Sequence, residues 1–316
     1  MTETGGGKGP LLRGLDVNVT MPTDKPNRLL IVDGHAYAYR AFHAIRELAS
    51  PTGRPTNAIY GFIKMLTKLQ MQLEPSHLVV VWDGGLSAER TAAHPDYKAQ
   101  RPPMPEPLDE QIGQIGEYLG GAKVASRCRA GVEADDWIAA FAHAGAESMP
   151  VVVASSDKDF MQLVSGRVGL VNPNDKLEKI WADPDVLAKT GVRPDQIVDW
   201  LSLIGDSVDN IPGVPGVGPK TAADLLNQFG SVDALYGRLA EVKSERIRQS
   251  LFTSREAVLR NQQLIRLKPE GLESEIHDLA MRNPDADRLR ELYVGWGFKG
   301  MLARLEAAST NQGILL

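Results

Sequence analysis

Three short apolar runs in this chain each end in aspartate. Leu29-Leu30-Ile31-Val32 stops at Asp33, and Leu78-Val79-Val80-Val81-Trp82 stops at Asp83. Val151-Val152-Val153-Ala154 leads through Ser155-Ser156 into Asp157 and Asp159. Continuous runs this short, rich in β-branched residues, predict strands buried on both faces, as in a parallel sheet. Between them the period lengthens. Ile59, Phe62, Ile63, Leu66 and Leu69 recur at spacings of three and four, which predicts a helix over 56–73 closed by Pro75. Helical character also marks 36–48, which carries Arg40 and Arg46, and 108–119. Gly131-Val132-Glu133-Ala134-Asp135-Asp136-Trp137 opens a further helix on acids. Strands alternating with helices predict an α/β fold with a mostly parallel central sheet flanked by helices.

From about residue 194 the strand pattern ends. Helices are predicted over 195–204, 220–229, 232–239, 244–264 and 285–307. Residues 84–107 depart in another way. They hold few large apolar residues, contain Arg90, Lys98 and Arg101, and close on Arg101-Pro102-Pro103-Met104-Pro105-Glu106-Pro107. Loops of this length in compact domains are usually functional or mobile. Its place straight after Asp83 favours a segment lying over the strand ends. There Tyr97 offers a stacking surface beside the charge of Lys98. Residues 1–27, rich in Gly and Pro without periodicity, are expected to be a disordered tail, and 309–316 a frayed end. The expected division is an α/β domain over 28–193 and a helical one over 194–308.

Composition narrows the classes. Hydrophobic residues make up 43% of the chain and charged ones 24%, ordinary for a globular protein. No apolar stretch is long enough to span a bilayer, and the N-terminus has no signal-peptide core, so a cytoplasmic protein without a membrane partner is expected. Cys128 is the only cysteine, which excludes an internal disulfide and a thiolate zinc site. The net charge of −5 does not announce a nucleic-acid binder, but it hides a local separation of acids and bases.

In open α/β sheets, ligands bind outside the carboxyl ends of the strands. Asp33, Asp83, Asp157 and Asp159 would therefore point at one place. One Asp after a strand is commonly a turn or cap residue; three after three strands exceed that. Glu133, Asp135 and Asp136 could serve the helix dipole at about 0.3–1 kcal/mol each, yet three acids within four residues exceed that need. Asp206 and Asp209, three apart, share one side of a helical turn. Like charges raise each other's pKa, so such a group needs a cation. All-oxygen donors select a hard one, Mg²⁺ or Mn²⁺, and acids arriving in separate groups predict two ions or more.

The stretch Gly213 to Thr221 fails as a Walker A motif because Pro219 separates Gly218 from Lys220, and it fails as a Rossmann fingerprint. A tight glycine turn between two helices remains. Its second helix opens with free N–H groups beside Lys220, suited to a backbone phosphate. Gly213, Gly216, Gly218, Lys220 and Thr221 are the expected contacts. The histidines are scattered; His35 near Asp33 has a packing or hydrogen-bonding role. No Ser or Cys nucleophile motif is visible.

Val32-Asp33-Gly34, Trp82-Asp83, the run from Tyr97 to Pro105, Val132 to Asp136, Ser156-Asp157-Lys158-Asp159 and Gly205 to Val214 together resemble the motifs of the 5′-nuclease, or flap endonuclease, family. Within it, the chain is similar to the 5′→3′ exonuclease domain of bacterial DNA polymerase I over residues 28–308. The resemblance implies a PIN-like nuclease core, a helical arch over 84–107 and a helix–hairpin–helix over 205–230 in a DNA-binding subdomain. It implies that Asp33, Asp83, Glu133, Asp135 and Asp136 ligate one part of a two-metal site, and Asp157, Asp159, Asp206 and Asp209 the other. Lys98 and Arg101 match arch bases near the scissile phosphate, Arg40 a base on the first helix, and Arg90 lies on the same arch. The hairpin is associated with a monovalent cation, K⁺. The implied activity is metal-dependent hydrolysis of branched or nicked DNA bearing a 5′ end or flap, with RNA primers a further substrate, by a stand-alone monomer at the nucleoid. The alternative is a structure-specific DNA-binding protein with little turnover. A small-molecule phosphatase would have no use for the arch or the hairpin.

Overall fold

The computed structural model describes residues 27–175, 179–269, 271–272 and 274–313, with side chains to 308. Residues 1–26 of the expected tail and 314–316 lie outside the described residues. Strands β1 (Leu29–Asp33), β2 (His77–Val81), β3 (Ala125–Arg127), β4 (Val151–Ala154), β5 (Val168–Val171) and β6 (Ile180–Trp181) form a six-stranded sheet in the order β3-β2-β1-β4-β5-β6. Only β6 runs antiparallel to its neighbour. The chain steps outward from β1 to β3, then returns to β4 on the other side of β1. That reversal opens the crevice in which such sheets bind ligands. Leu29 is level with both His77 and Val151, so the acids after β1, β2 and β4 emerge at one edge.

Side chains alternate along a strand, and both faces of this sheet are covered. Leu30, Val32, Leu78 and Val80 pack with Phe62, Leu66, Leu108 and Trp296 on one side. Leu29, Ile31, Val79 and Val81 pack with Trp137, Ile138, Phe141 and Leu201 on the other. Helices α1 (Gly34–Ala44) and α2 (Asn57–Leu73) belong to the first layer. The short α3 (Ala88–Ala93) falls inside the basic excursion; α4 (Glu106–Gly121) returns to the first layer, and α5 (Ala134–Ser148) covers the second. Each fully buried Leu, Ile or Phe contributes about 1.5–3 kcal/mol to holding these layers together.

The second half is α6 (Asp183–Thr190), α7 (Ile197–Ile204), α8 (Pro219–Phe229), α9 (Val232–Gly237), α10 (Glu245–Thr253), α11 (Arg255–Ile265), α12 (Ala286–Trp296) and α13 (Lys299–Gly313). The long helix expected over 244–264 breaks at Ser254, and that over 285–307 breaks at Gly297, which takes φ 75. The last helix continues to Gly313, so the fraying expected from 309 does not hold for 309–313. The helix expected to 48 stops at Ala44 because Ile45 is extended. α12 packs on the first layer, with Trp296 Nε1 donating to Gln114 Oε1 at 2.7 Å. Among the described residues, no helix is long and apolar enough to cross a membrane.

Candidate metal and nucleic-acid site

Local backbone sets each acid at the crevice. Asp33 caps α1: its Oδ1 accepts from the Ala36 N–H at 3.0 Å, and its Oδ2 from the Ser155 hydroxyl at 2.7 Å. Burial lifts its pKa to about 6, with Asp157 and Asp83 adding to the rise. Asp157 accepts from the Asp159 N–H at 2.9 Å and caps the 3₁₀ turn Lys158–Leu163. Burial raises its pKa too, with help from Asp209 and Asp206. Asp159 and Asp135 are pushed well above the usual carboxylate range. Burial leads in both, followed by repulsion from Asp157, Asp135, Asp209 and Asp206 for the former; for the latter Lys98 opposes the rise, and Asp157, Asp33 and Glu133 add to it.

Asp83 is fixed on both sides. Its Oδ1 accepts from the Gly85 N–H at 2.7 Å, and its own N–H donates to His35 Nδ1 at 3.1 Å. Burial lowers the His35 pKa, consistent with a neutral ring accepting there. Gly84 then donates to Val132 O at 2.9 Å, and a Cβ on it would fall 1.8 Å from Arg129 O. Only glycine lets the loop after Asp83 approach the loop before Glu133 so closely. Asp206 and Asp209 enter on a small hairpin in which β7 (Gly205–Asp206) pairs antiparallel with β8 (Ile211–Pro212). The turn is steadied by the Val208 N–H donating to Asp206 at 2.9 Å.

The expected acids share this region but do not form a finished cage. Among the described residues, no group of three or more His, Cys, Asp or Glu side chains is arranged to hold an ion. Side-chain cations engage several of them instead. Lys98 Nζ lies 2.5 Å from Glu133 Oε2 and 3.8 Å from Asp135 Oδ2. Arg101 sits 2.5 Å from Asp209, and Lys158 3.1 Å from Asp206. Burial pushes the Glu133 pKa up, but Lys98 and Arg90 outweigh it and leave it below its ordinary value. The donor set still suits a hard dication. Every donor is an oxygen, the carboxyls of Asp135 and Asp157 stay raised despite Lys98, and Asp159 Oδ1 is buried with no hydrogen-bond partner.

Three expected site residues face elsewhere. Both oxygens of Asp136 accept from Arg90, Nη1 to Oδ2 and Nη2 to Oδ1, each at 2.7 Å. Successive helix positions are about 100° apart, so turning Asp135 toward the other acids turns Asp136 away. Arg90, expected on DNA, is 2% exposed and closed off by the same pair. Tyr97, expected to stack on a base, is buried and donates its hydroxyl to Glu133 at 3.2 Å. Ser155 and Tyr97 are contacts to the acids that residue spacing did not reveal; a hydroxyl directly after a buried strand was the available signal for the first.

The 84–107 excursion lies across the acids. The Lys98 N–H donates to Asp209 O and Asn210 Nδ2 to Asp96 O, both at 3.0 Å. Arg40 on α1 donates to Asn174 Oδ1 and lines a cavity of about 230 Å³ with Lys64 and Lys68. Past the acids, the glycine turn is closed by Val214 N–H donating to Leu203 O at 2.8 Å and Val217 N–H to Val214 O at 3.0 Å. Burying both valines leaves Gly216, Gly218 and Lys220 exposed ahead of α8, with Gly213 and Thr221 half-buried.

Two family models match the chain: 5′-3′ exonuclease, N-terminal resolvase-like domain, over residues 28–191, and 5′-3′ exonuclease, C-terminal SAM fold, over 192–287. The chain belongs to the 5′-3′ exonuclease family. It is 37% identical over 280 residues to the 5′-3′ exonuclease of Aquifex aeolicus (strain VF5), covering 88% of this chain and 95% of that one. It is 35% identical over 289 residues to DNA polymerase I of Bacillus caldotenax, covering 90% of this chain but 33% of the relative. The chain thus spans about a third of the length of that polymerase. Among solved structures, T5 5′-exonuclease with divalent zinc ions bound is similar at TM-score 0.65 and 25% identity, over 77% of this chain and 90% of that one. The catalytic core of Rad2 in complex with a DNA substrate shares the fold at TM-score 0.62 and 16% identity, over 88% and 91%.

Proposed function

We propose that the chain is a divalent-metal-dependent, structure-specific 5′ nuclease acting on branched or nicked DNA with a 5′ end or flap, with 5′-terminal RNA primers as a further substrate. One observation carries the reading: Asp33, Asp135, Asp157 and Asp159 are buried together at the crevice of the sheet, burial and neighbouring acids raise the pKa of each, and Asp159 keeps a buried oxygen unpartnered. The T5 5′-exonuclease, which binds divalent ions, supports it. Mg²⁺ or Mn²⁺ would be held by Asp33, Asp83, Glu133 and Asp135 on one side and by Asp157, Asp159, Asp206 and Asp209 on the other. Bound there, such ions would supply the Lewis acidity that phosphodiester hydrolysis needs.

The chain's own residues do the rest. Arg101, partly exposed beside Asp209, brings positive charge to the transferring phosphate, and Lys98, buried against Glu133, does so on exchanging that partner for the phosphate. Ser155 and the Ala36 N–H keep Asp33 oriented, and the Ser87 N–H does the same for Glu133 at 2.9 Å. Arg40, Lys220, Thr221 and the backbone of Gly213, Gly216 and Gly218 hold phosphates of the duplex, with K⁺ at the turn. The products are a 5′-phosphate and a 3′-hydroxyl. The test is a 5′-flap duplex labelled at its 5′ end, incubated with Mg²⁺, with Mn²⁺ and with chelator. A flap-length product in metal and none in chelator is expected. Binding without cleavage in every metal condition would overturn the reading in favour of a DNA-binding module.

A further inference from the structure

Arg90 is shut off from solvent and is among the largest fully buried side chains. A guanidinium is tolerated there only when its donors are matched. Its fork meets Asp136 at 2.7 Å twice, Nε donates to Leu264 O at 2.9 Å, and Nη2 also donates to Arg266 O at 3.1 Å. Nη1 lies 3.5 Å from Glu133 Oε1. Asp136 Oδ1 accepts in addition from the Lys268 N–H at 2.8 Å, and Lys268 Nζ reaches Glu89 at 2.5 Å. One side chain therefore joins three segments: α3 at the root of the excursion, the start of α5, and the chain leaving α11. Glu133 sits on that joint, between Arg90, the Ser87 N–H that precedes α3, and Lys98.

We propose that Arg90 is a positioning residue and Asp136 its anchor rather than a metal ligand, the pair fixing Glu133 and the root of the excursion against the C-terminal helices. The proposal rests on the nuclease reading. A bidentate fork sets both distance and plane, which a lysine ammonium cannot reproduce. Asp136 is locked by the bidentate fork of Arg90 and again by the Lys268 N–H, and helix phase turns it about 100° away from Asp135, which faces the acids. Misplacing Glu133 would disturb the crevice and its partner Lys98 while leaving the glycine turn and Lys220, which meet the duplex elsewhere, where they are.

Two measurements on the full chain test this. The first is Mn²⁺ binding without DNA, by calorimetry. Asp136→Asn retains an oxygen for Arg90 and is expected to lose far less Mn²⁺ affinity than Asp135→Asn, by a margin of about tenfold or more. Equal losses would overturn the proposal and return Asp136 to the ligand set. The second is flap cleavage by Arg90→Lys and by the double variant Arg90→Met with Asp136→Leu, which removes both buried charges together so that the fold survives. Both are expected to lower kcat by about 10–100-fold with KM for the flap little changed. A raised KM at unchanged kcat would make Arg90 a DNA contact. A double variant with wild-type kcat would make the pair structural only. Either result refutes the proposal, and thermal melting confirms that each variant is folded. If the unmodified chain cuts no flap with any metal, the nuclease reading fails, while the Mn²⁺ comparison still decides the place of Asp136.

Discussion

Asp159 is buried among acids that oppose its charge. Its folded pKa lies well above the ordinary value, from burial first and then from Asp157, Asp135, Asp209 and Asp206. A raised carboxyl pKa gives stability that is complete below the unfolded value and is lost as pH rises through the folded one. At Asp33 that window runs from 3.8 to about 6. Removing one of the repelling charges should therefore stabilise the metal-free protein at neutral pH. Asp159→Asn is expected to melt above the unmodified chain at neutral pH in chelator, with the gap closing toward about pH 4, and to lose cleavage. Melting curves at both pH values check this, and a lower neutral-pH melting temperature for the variant would count against it. Glu133 goes the other way. Lys98 and Arg90 hold its pKa down, so its contribution is present above its unfolded value and lost as pH falls.

At the level of elements, the glycine turn is sensitive to single substitutions. Gly205 takes φ 78 as the chain leaves α7, and a Cβ on Gly213 would fall 2.2 Å from Ile204 O. Gly213→Ala should force α7 and the turn apart and lower melting temperature and duplex affinity together, read by calorimetry and fluorescence anisotropy. Lys220→Gln at the start of α8 separates charge from shape. It is expected to leave melting unchanged, weaken binding to all duplex sequences alike, and reduce the slope of log K against log salt by about 0.9. An unchanged slope would remove Lys220 from the interface. The helices flanking this turn were legible from their period. Ser254 and Gly297, which split two of the longer ones, were not, because a serine or glycine within a periodic run announces a break only when packing makes use of it. β3, β5 and β6 were missed for a related reason. Each is short or glycine-interrupted, and its strand state comes from its neighbour rather than from its own residues.

For the whole molecule, the proposed metal site predicts a coupling between stability and metal. A ligand bound only by the folded state stabilises it by about 2.7 kcal/mol per site at a hundredfold excess over Kd. Mg²⁺ is therefore expected to raise the melting temperature of the intact chain in the absence of DNA, and chelator to reverse the rise. No shift at any Mg²⁺ concentration would mean that the crevice holds no ion. The same acids explain how much of the site was readable. Asp33, Asp83, Asp157 and Asp159 announce themselves because each follows a buried strand, and strand ends in a parallel sheet share one edge. The family motifs were legible with them because they are local words in the chain.

Residue order alone makes the available chemistry plain: oxygen donors in separate groups, a basic excursion after the second strand, and a glycine turn between helices. Only the tertiary structure decided which of those residues face one another. Arg90 and Asp136 are 46 positions apart, and Lys98 and Glu133 are 35 apart. Nothing in either local stretch says that the first pair closes a buried joint while the second meets at the crevice. Helix phase separates Asp135 from Asp136, and the return of α3 onto α5 sets which base each acid meets. Both depend on where packed elements end in space, a property of the whole fold rather than of any run of residues.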